Sequence, residues 1–177
     1  MFKARGFTLI EILVVVSIIS VLSSIILSSL QKARVSARDR DRALLMNKVK
    51  VALELYRNAN RSYPVGILSD CNNPWGYTFV ANENDIIPGL VPNYIPAITP
   101  DPLLNINGAV AGNGNCHFYY SWDGTDYYFI FAAASETNYL SQPTLIDPAR
   151  DSGPDLSKVD GNGVWAWKVY SPNYAAW

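Results

Sequence analysis

The spacing of hydrophobic and polar positions changes twice along this chain. From Phe7 to Leu30 the sequence is almost wholly apolar, interrupted by hydroxyls and by a single charge, Glu11. As a helix this run extends ~36 Å against a hydrocarbon core of about 30 Å, so it can span a bilayer with some tilt. A removable secretory signal has a shorter apolar region of roughly 7–15 residues, so an anchor fits better. Ser17, Ser20, Ser23, Ser24, Ser28 and Ser29 lower the hydrophobicity, yet each hydroxyl can bond a carbonyl one turn earlier or a neighbouring helix. From Gln31 to about Asn58 no Gly or Pro occurs, and Leu45, Val49, Ala52 or Leu53, and Tyr56 recur at helical spacing. That pattern predicts an amphipathic helix facing a core, and continuity with the apolar run makes one rod of ~75 to 80 Å.

After Tyr63 the pattern becomes turn-rich and strand-rich. Arg57-Asn58-Ala59-Asn60-Arg61-Ser62-Tyr63-Pro64 closes the helix, because Asn and Ser compete for backbone hydrogen bonds and Pro64 disfavours helical geometry at Tyr63. Strands are expected over Cys116 to Trp122 and Tyr127 to Ala133, joined by Asp123-Gly124-Thr125-Asp126, a hairpin signal. A third strand is expected from Gly163 to Tyr170, where alternation sets Trp165 and Trp167 on one face. The expected fold is α+β: a long N-terminal helix packed on a small antiparallel sheet of three or four strands, with long loops.

Composition narrows the function. With 177 residues and 49% apolar content, part of it in one segment, the chain can build one modest soluble core. A formal charge of -1 and a pI near 5.7 give no global basic field, so no nucleic-acid partner is expected. His117 is the sole histidine, and neither a serine-nucleophile motif nor a Gly-rich phosphate loop is present, so no catalytic residue and no enzymatic activity are expected. Lys32 to Arg42, with Asp39 and Asp41 interleaved and no aromatics, fits a solvated helical collar; contacts with lipid headgroups or acidic patches are the other reading. The Tyr and Trp residues of the back half fit core and subunit contacts better than a sugar platform.

Glu11 is the informative residue. A carboxylate at membrane depth costs about 2.5 kcal/mol or more unless neutralised or paired. Either it is an acid tolerated near the interface, or it meets a positive partner that the chain does not supply between Phe7 and Lys32.

Gly6-Phe7-Thr8-Leu9-Ile10-Glu11, after a short leader carrying Lys3 and Arg5 and before the long apolar stretch, resembles the class III signal of type IV pilins and type II secretion pseudopilins. The resemblance implies that a membrane prepilin peptidase cuts between Gly6 and Phe7 and that Phe7 is N-methylated. It implies further that Glu11 pairs with the free amine of Phe7 in an adjacent subunit. Glycine at the cut permits close approach of the protease to the backbone. Tyr63-Pro64, Val91-Pro92-Asn93-Tyr94-Ile95-Pro96 and Pro100-Asp101-Pro102 resemble landmarks of major pseudopilins. Ser28 and its neighbours stand where many members carry a helix-softening Pro.

The implied layout is a leader over 1–6, a transmembrane and filament-core helix over 7–30, an amphipathic helix continuing the rod over 31–60, and a β-rich head over 61–177. Lys3 and Arg5 precede the apolar run, whereas Lys32, Arg34, Arg38, Arg40 and Arg42 follow it, so the positive-inside rule alone would leave the head in the cytoplasm. The extracytoplasmic head, single-pass in the inner (cytoplasmic) membrane with the filament in the periplasm or at the cell surface, therefore rests on the resemblance. In that oxidising setting Cys71 and Cys116 form a bridge, the other reading being two unpaired buried thiols. No cofactor is expected: Asp147, Asp151, Asp155 and Asp160 read as a plain solvated acidic loop, the other reading being ligands for a structural calcium. The expected partners are copies of itself or homologous pilin subunits, the prepilin peptidase, an inner-membrane assembly platform and membrane lipid. The expected function is a structural subunit of a type II secretion-like pseudopilus or a type IV pilus. The alternative is a minor pilin acting as a surface- or DNA-binding module at a pilus tip.

Overall fold

The computed structural model describes residues 7–70, 78–101, 103, 116–132, 136, 142, 144–145 and 166–174. Helix α1 spans Leu9–Asn60, as the lack of Gly and Pro allows. The chain divides into two compact units, one up to Ala37 and one from Arg38 onward. In the first, every described residue from Phe7 to Arg34 is exposed, apolar side chains included. In the second, α1 buries Ala43, Leu45, Met46, Val49, Ala52 and Leu53, and half-buries Tyr56, the spacing expected of a helix with a core-facing stripe.

The helix ends where the sequence indicates. Arg61 sits at φ 65°, the left-handed position that follows many helices, and its N–H donates to the Arg57 carbonyl at 2.8 Å. Asn60 Nδ2 donates to the Tyr56 carbonyl at 2.9 Å and to the Tyr94 hydroxyl at 3.0 Å, so the last turn is held from outside the helix as well.

Five strands form one sheet: β1 (Gly66–Ser69), β2 (Thr78–Phe79), β3 (His117–Ser121), β4 (Tyr128–Ala132) and β5 (Ala166–Tyr170), in the order β2-β1-β3-β4-β5. Three of these fall within the expected strands. The sheet is mixed rather than wholly antiparallel, because β2 pairs parallel to β1, Leu68 with Thr78 and Ser69 with Phe79. A two-residue strand carries no alternation to read, which is why the sequence does not announce it. The other pairings are antiparallel and place Tyr119, Phe129 and Val169 opposite one another in the core, with Tyr120, Tyr128 and Tyr170 in the next row on the other face.

Gly124 fixes the β3–β4 hairpin. Its φ is 78°, its carbonyl accepts from the Tyr63 N–H at 2.7 Å, and a Cβ there would lie 2.9 Å from the Tyr63 carbonyl oxygen. Only glycine suits both the turn and the approach to the helix exit. Asp123 Oδ1 accepts from the Thr125 N–H at 2.9 Å and closes the turn locally.

The core joins Met46, Val49 and Leu53 of α1 to Tyr119, Phe129, Phe131, Trp167 and Val169 of the sheet, with Ile86, Ile87, Leu90, Ile95 and Ile98 from the proline-punctuated connection. Tyr94 in that connection packs its ring 5.2 Å from Tyr56.

The structure corrects the solvated collar at Asp39 and Arg42, while Lys32, Arg34, Arg40 and Asp41 are exposed. Asp39 and Arg42 are each 4% exposed. Arg42 donates from Nε and Nη2 to Asp101 at 2.5 and 3.0 Å, and from Nη1 to Asp39 at 2.9 Å and Glu136 at 2.7 Å. Arg38 pairs with Glu136 as well. Burial alone would lower the pKa of the Arg42 guanidinium, but its hydrogen bonds and charge pairing with Asp101 more than offset this and leave it raised. Glu136 is held below its ordinary value, first by its hydrogen bond from Arg38. Asp101 is the acid of the Pro-Asp-Pro landmark, so that landmark ties its loop to α1.

Candidate assembly site

The first unit carries the residues that the sequence singles out for processing and assembly. Gly6 lies outside the described residues; Phe7 is exposed immediately before α1. Thr8 is the cap. The Thr8 N–H and hydroxyl both donate to Glu11 Oε2 at 2.8 Å, and the Glu11 N–H donates back to Thr8 Oγ1 at 3.2 Å. This is a reciprocal capping box, which satisfies otherwise orphaned donors at the first turn. Sequence reasoning that seeks only a cation for Glu11 misses Thr8, although Thr8-Leu9-Ile10-Glu11 spells the box directly. The negative side chain also sits at the positive end of the helix dipole.

Beyond the cap, α1 offers an exposed apolar surface, and its polar atoms are met internally. Ser17 donates to the Val14 carbonyl, Ser20 to Val16 and Ser24 to Val21, each at 2.8 Å. The helix contains a segment long and apolar enough to cross a membrane, none of it buried. Such a surface needs lipid or other helices around it.

The remaining candidates separate. Cys116 is buried and disulfide-bonded just before β3, whereas Cys71 lies outside the described residues. Asp147, Asp151, Asp155 and Asp160 also lie outside them, and among the described residues no three His, Cys, Asp or Glu side chains gather to hold a metal. His117 is buried, with Nδ1 2.6 Å from Asp70 Oδ2 while its N–H donates to Asp70 Oδ1 at 2.7 Å. Its ring lies parallel to Phe129 at 5.4 Å. These bonds tie the residue after β1 to the start of β3, a structural role.

The comparisons with known proteins fall on this segment, an exposed, membrane-length helix opened by a threonine-capped glutamate. Residues 1–27 match the family described as the prokaryotic N-terminal methylation motif, so the chain carries the prepilin-type signal. It is 38% identical over 61 residues to the type IV wide pilus major component PilA4 of Thermus thermophilus, a match covering 34% of this chain and 47% of that relative. No solved structure matches the chain significantly.

Proposed function

We propose that the chain is a non-enzymatic structural subunit of a pilus-type filament, cut between Gly6 and Phe7, N-methylated at Phe7 and polymerised through α1. The observation that carries this reading is the exposed apolar helix with its single carboxylate, Glu11, inside the matched methylation signal. In the bilayer, lipid covers the helix of the free subunit; in the filament, helices of other copies replace it, and the freed amine of Phe7 in a neighbour meets Glu11. The head faces away from the cytoplasm, where the Cys71–Cys116 bridge is stable. Peptidase and assembly platform act at the inner membrane. Between a type IV pilus and a type II secretion-like pseudopilus we favour the pilus, since the matched relative is named as a pilus component.

Mass spectrometry of subunits recovered from assembled filaments tests this. A chain beginning at Phe7 with one added methyl group is expected. An intact Met1 or a cut elsewhere overturns the reading. Glu11→Ala is expected to leave the subunit in the membrane but lower filament yield at least tenfold, and normal filaments from that variant would remove the pairing role.

A further inference from the structure

The second unit exposes a knob and a groove that do not meet within one molecule. The knob is Trp122, 72% exposed at the end of the β3–β4 hairpin and followed by the exposed Asp123. The groove, about 500 Å³, lies between α1 and the proline-punctuated connection, lined by Leu44, Asn47, Lys48 and Val51 on one side and by Ile95 and Pro96 on the other. Leu44 and Val51 are 53% and 60% exposed although they sit in a helix whose opposite stripe fills the core. They lie seven residues apart, on one face.

We propose that the Trp122 hairpin of one copy docks into this groove of the next. This rests on the filament reading above and adds the head-to-head contact to it. Three features fit the occupant to the site. An indole buries about 150–250 Å² and needs an acceptor for its N–H. The groove supplies apolar walls together with Asn47, whose Nδ2 donates to the Ala43 carbonyl at 2.9 Å and whose amide also carries an acceptor oxygen. Asp123, next to the knob, is negative, and Lys48, at the groove, is positive and exposed, so the charges are complementary in the docked pair.

The geometry also excludes self-filling. The hairpin is pinned at Tyr63, past the end of α1, by the Gly124 carbonyl, whereas Lys48 lies twelve residues before Asn60. Lys48 is thus ~18 Å along the helix from Asn60, and Trp122 is exposed and not among the residues lining the groove, so the knob does not fill the groove of its own molecule. Complementary patches at different heights on one subunit make a head-to-tail contact, and repetition of such a contact with an axial stagger builds an open helical polymer.

The test uses the full chain in a detergent without a sugar headgroup, with a photoreactive phenylalanine analogue replacing Trp122, and equal amounts of isotopically light and heavy subunits. Cross-links from position 122 to residues 44–51 or 94–97 are expected, in mixed light–heavy peptides. Lys48→Asp and Asp123→Lys are each expected to lower the cross-link yield about tenfold, and the double exchange to restore it. Oligomers cross-linked elsewhere, or cross-links confined to one chain, overturn this contact and leave the filament reading standing. Absence of any oligomer, with Glu11→Ala behaving like the parent, overturns both.

Discussion

Replacing Arg42 by Met isolates the charge network that holds the loops to α1. Met keeps an unbranched apolar stem against Phe131, whose ring centroid lies 5.2 Å from the guanidinium carbon, and removes only the cation. Left behind are Asp101, fully buried at its side chain, Asp39 at 6% side-chain exposure, and Glu136 at 23%, which keeps Arg38. Removing one partner of a buried ion pair costs about 3–5 kcal/mol, because the remaining charge stays buried without compensation. For a chain of this size that is a drop in Tm of roughly 6–20 °C. The assay is thermal unfolding of the full chain followed by near-ultraviolet circular dichroism at pH 7 and at pH 4. Glu136 has its folded pKa lowered, so its contribution is complete above the ordinary carboxylate pKa of 4.5 and is lost as pH falls through the folded value. The parent therefore loses stability on acidification. The Arg42–Glu136 share of that contribution is absent from Arg42→Met at pH 7 and is lost by the parent as Glu136 is protonated, so the deficit shrinks there. A Tm within about 3 °C of the parent at pH 7, or a deficit that grows in acid, would refute the assignment of the cluster as a charge clamp.

Gly124→Ala should cost about 2 kcal/mol or more, from the left-handed φ and the clash with the Tyr63 carbonyl; chemical denaturation of the full chain reads it, and a neutral result would contradict the turn geometry. Arg61→Gly should raise stability by about 1 kcal/mol, because Arg61 is a non-glycine residue at φ 65° with an exposed side chain; an unchanged or lower unfolding midpoint argues against a strained helix exit. Tyr127→Phe should be neutral or stabilising by up to about 1 kcal/mol, since the Tyr127 hydroxyl is buried with no hydrogen-bond partner among the described residues, and a loss above about 1 kcal/mol would reveal a further partner.

Local patterns in the sequence were informative, and distant ones were silent. The stripe Leu45, Val49, Ala52, Leu53 and Tyr56 is legible because a helix writes its buried face at fixed spacing, and the hairpin is legible because Asp-Gly names its own turn. Strand β1 is four residues long and β2 two, too short for period-two alternation to stand out. The burial of Arg42 was hidden for a different reason. Its partners Asp101 and Glu136 lie 59 and 94 positions away, and a charge in a charged run looks solvated until the chain brings an opposite charge over it. The Thr8–Glu11 box shows the converse, a three-residue pattern visible in the sequence but overlooked when Glu11 is treated only as a charge in need of a cation.

The Thr8 donors both land on one oxygen of Glu11, Oε2. In the filament proposed above, the second oxygen is the one left to take an incoming ammonium group while the first turn stays wound. Under that proposal a subunit meets its partner with the first turn of α1 already wound, so association does not carry the entropy cost of ordering it. In the same proposal, entry into the polymer is an exchange of lipid neighbours for helical ones that leaves the capped turn as it is.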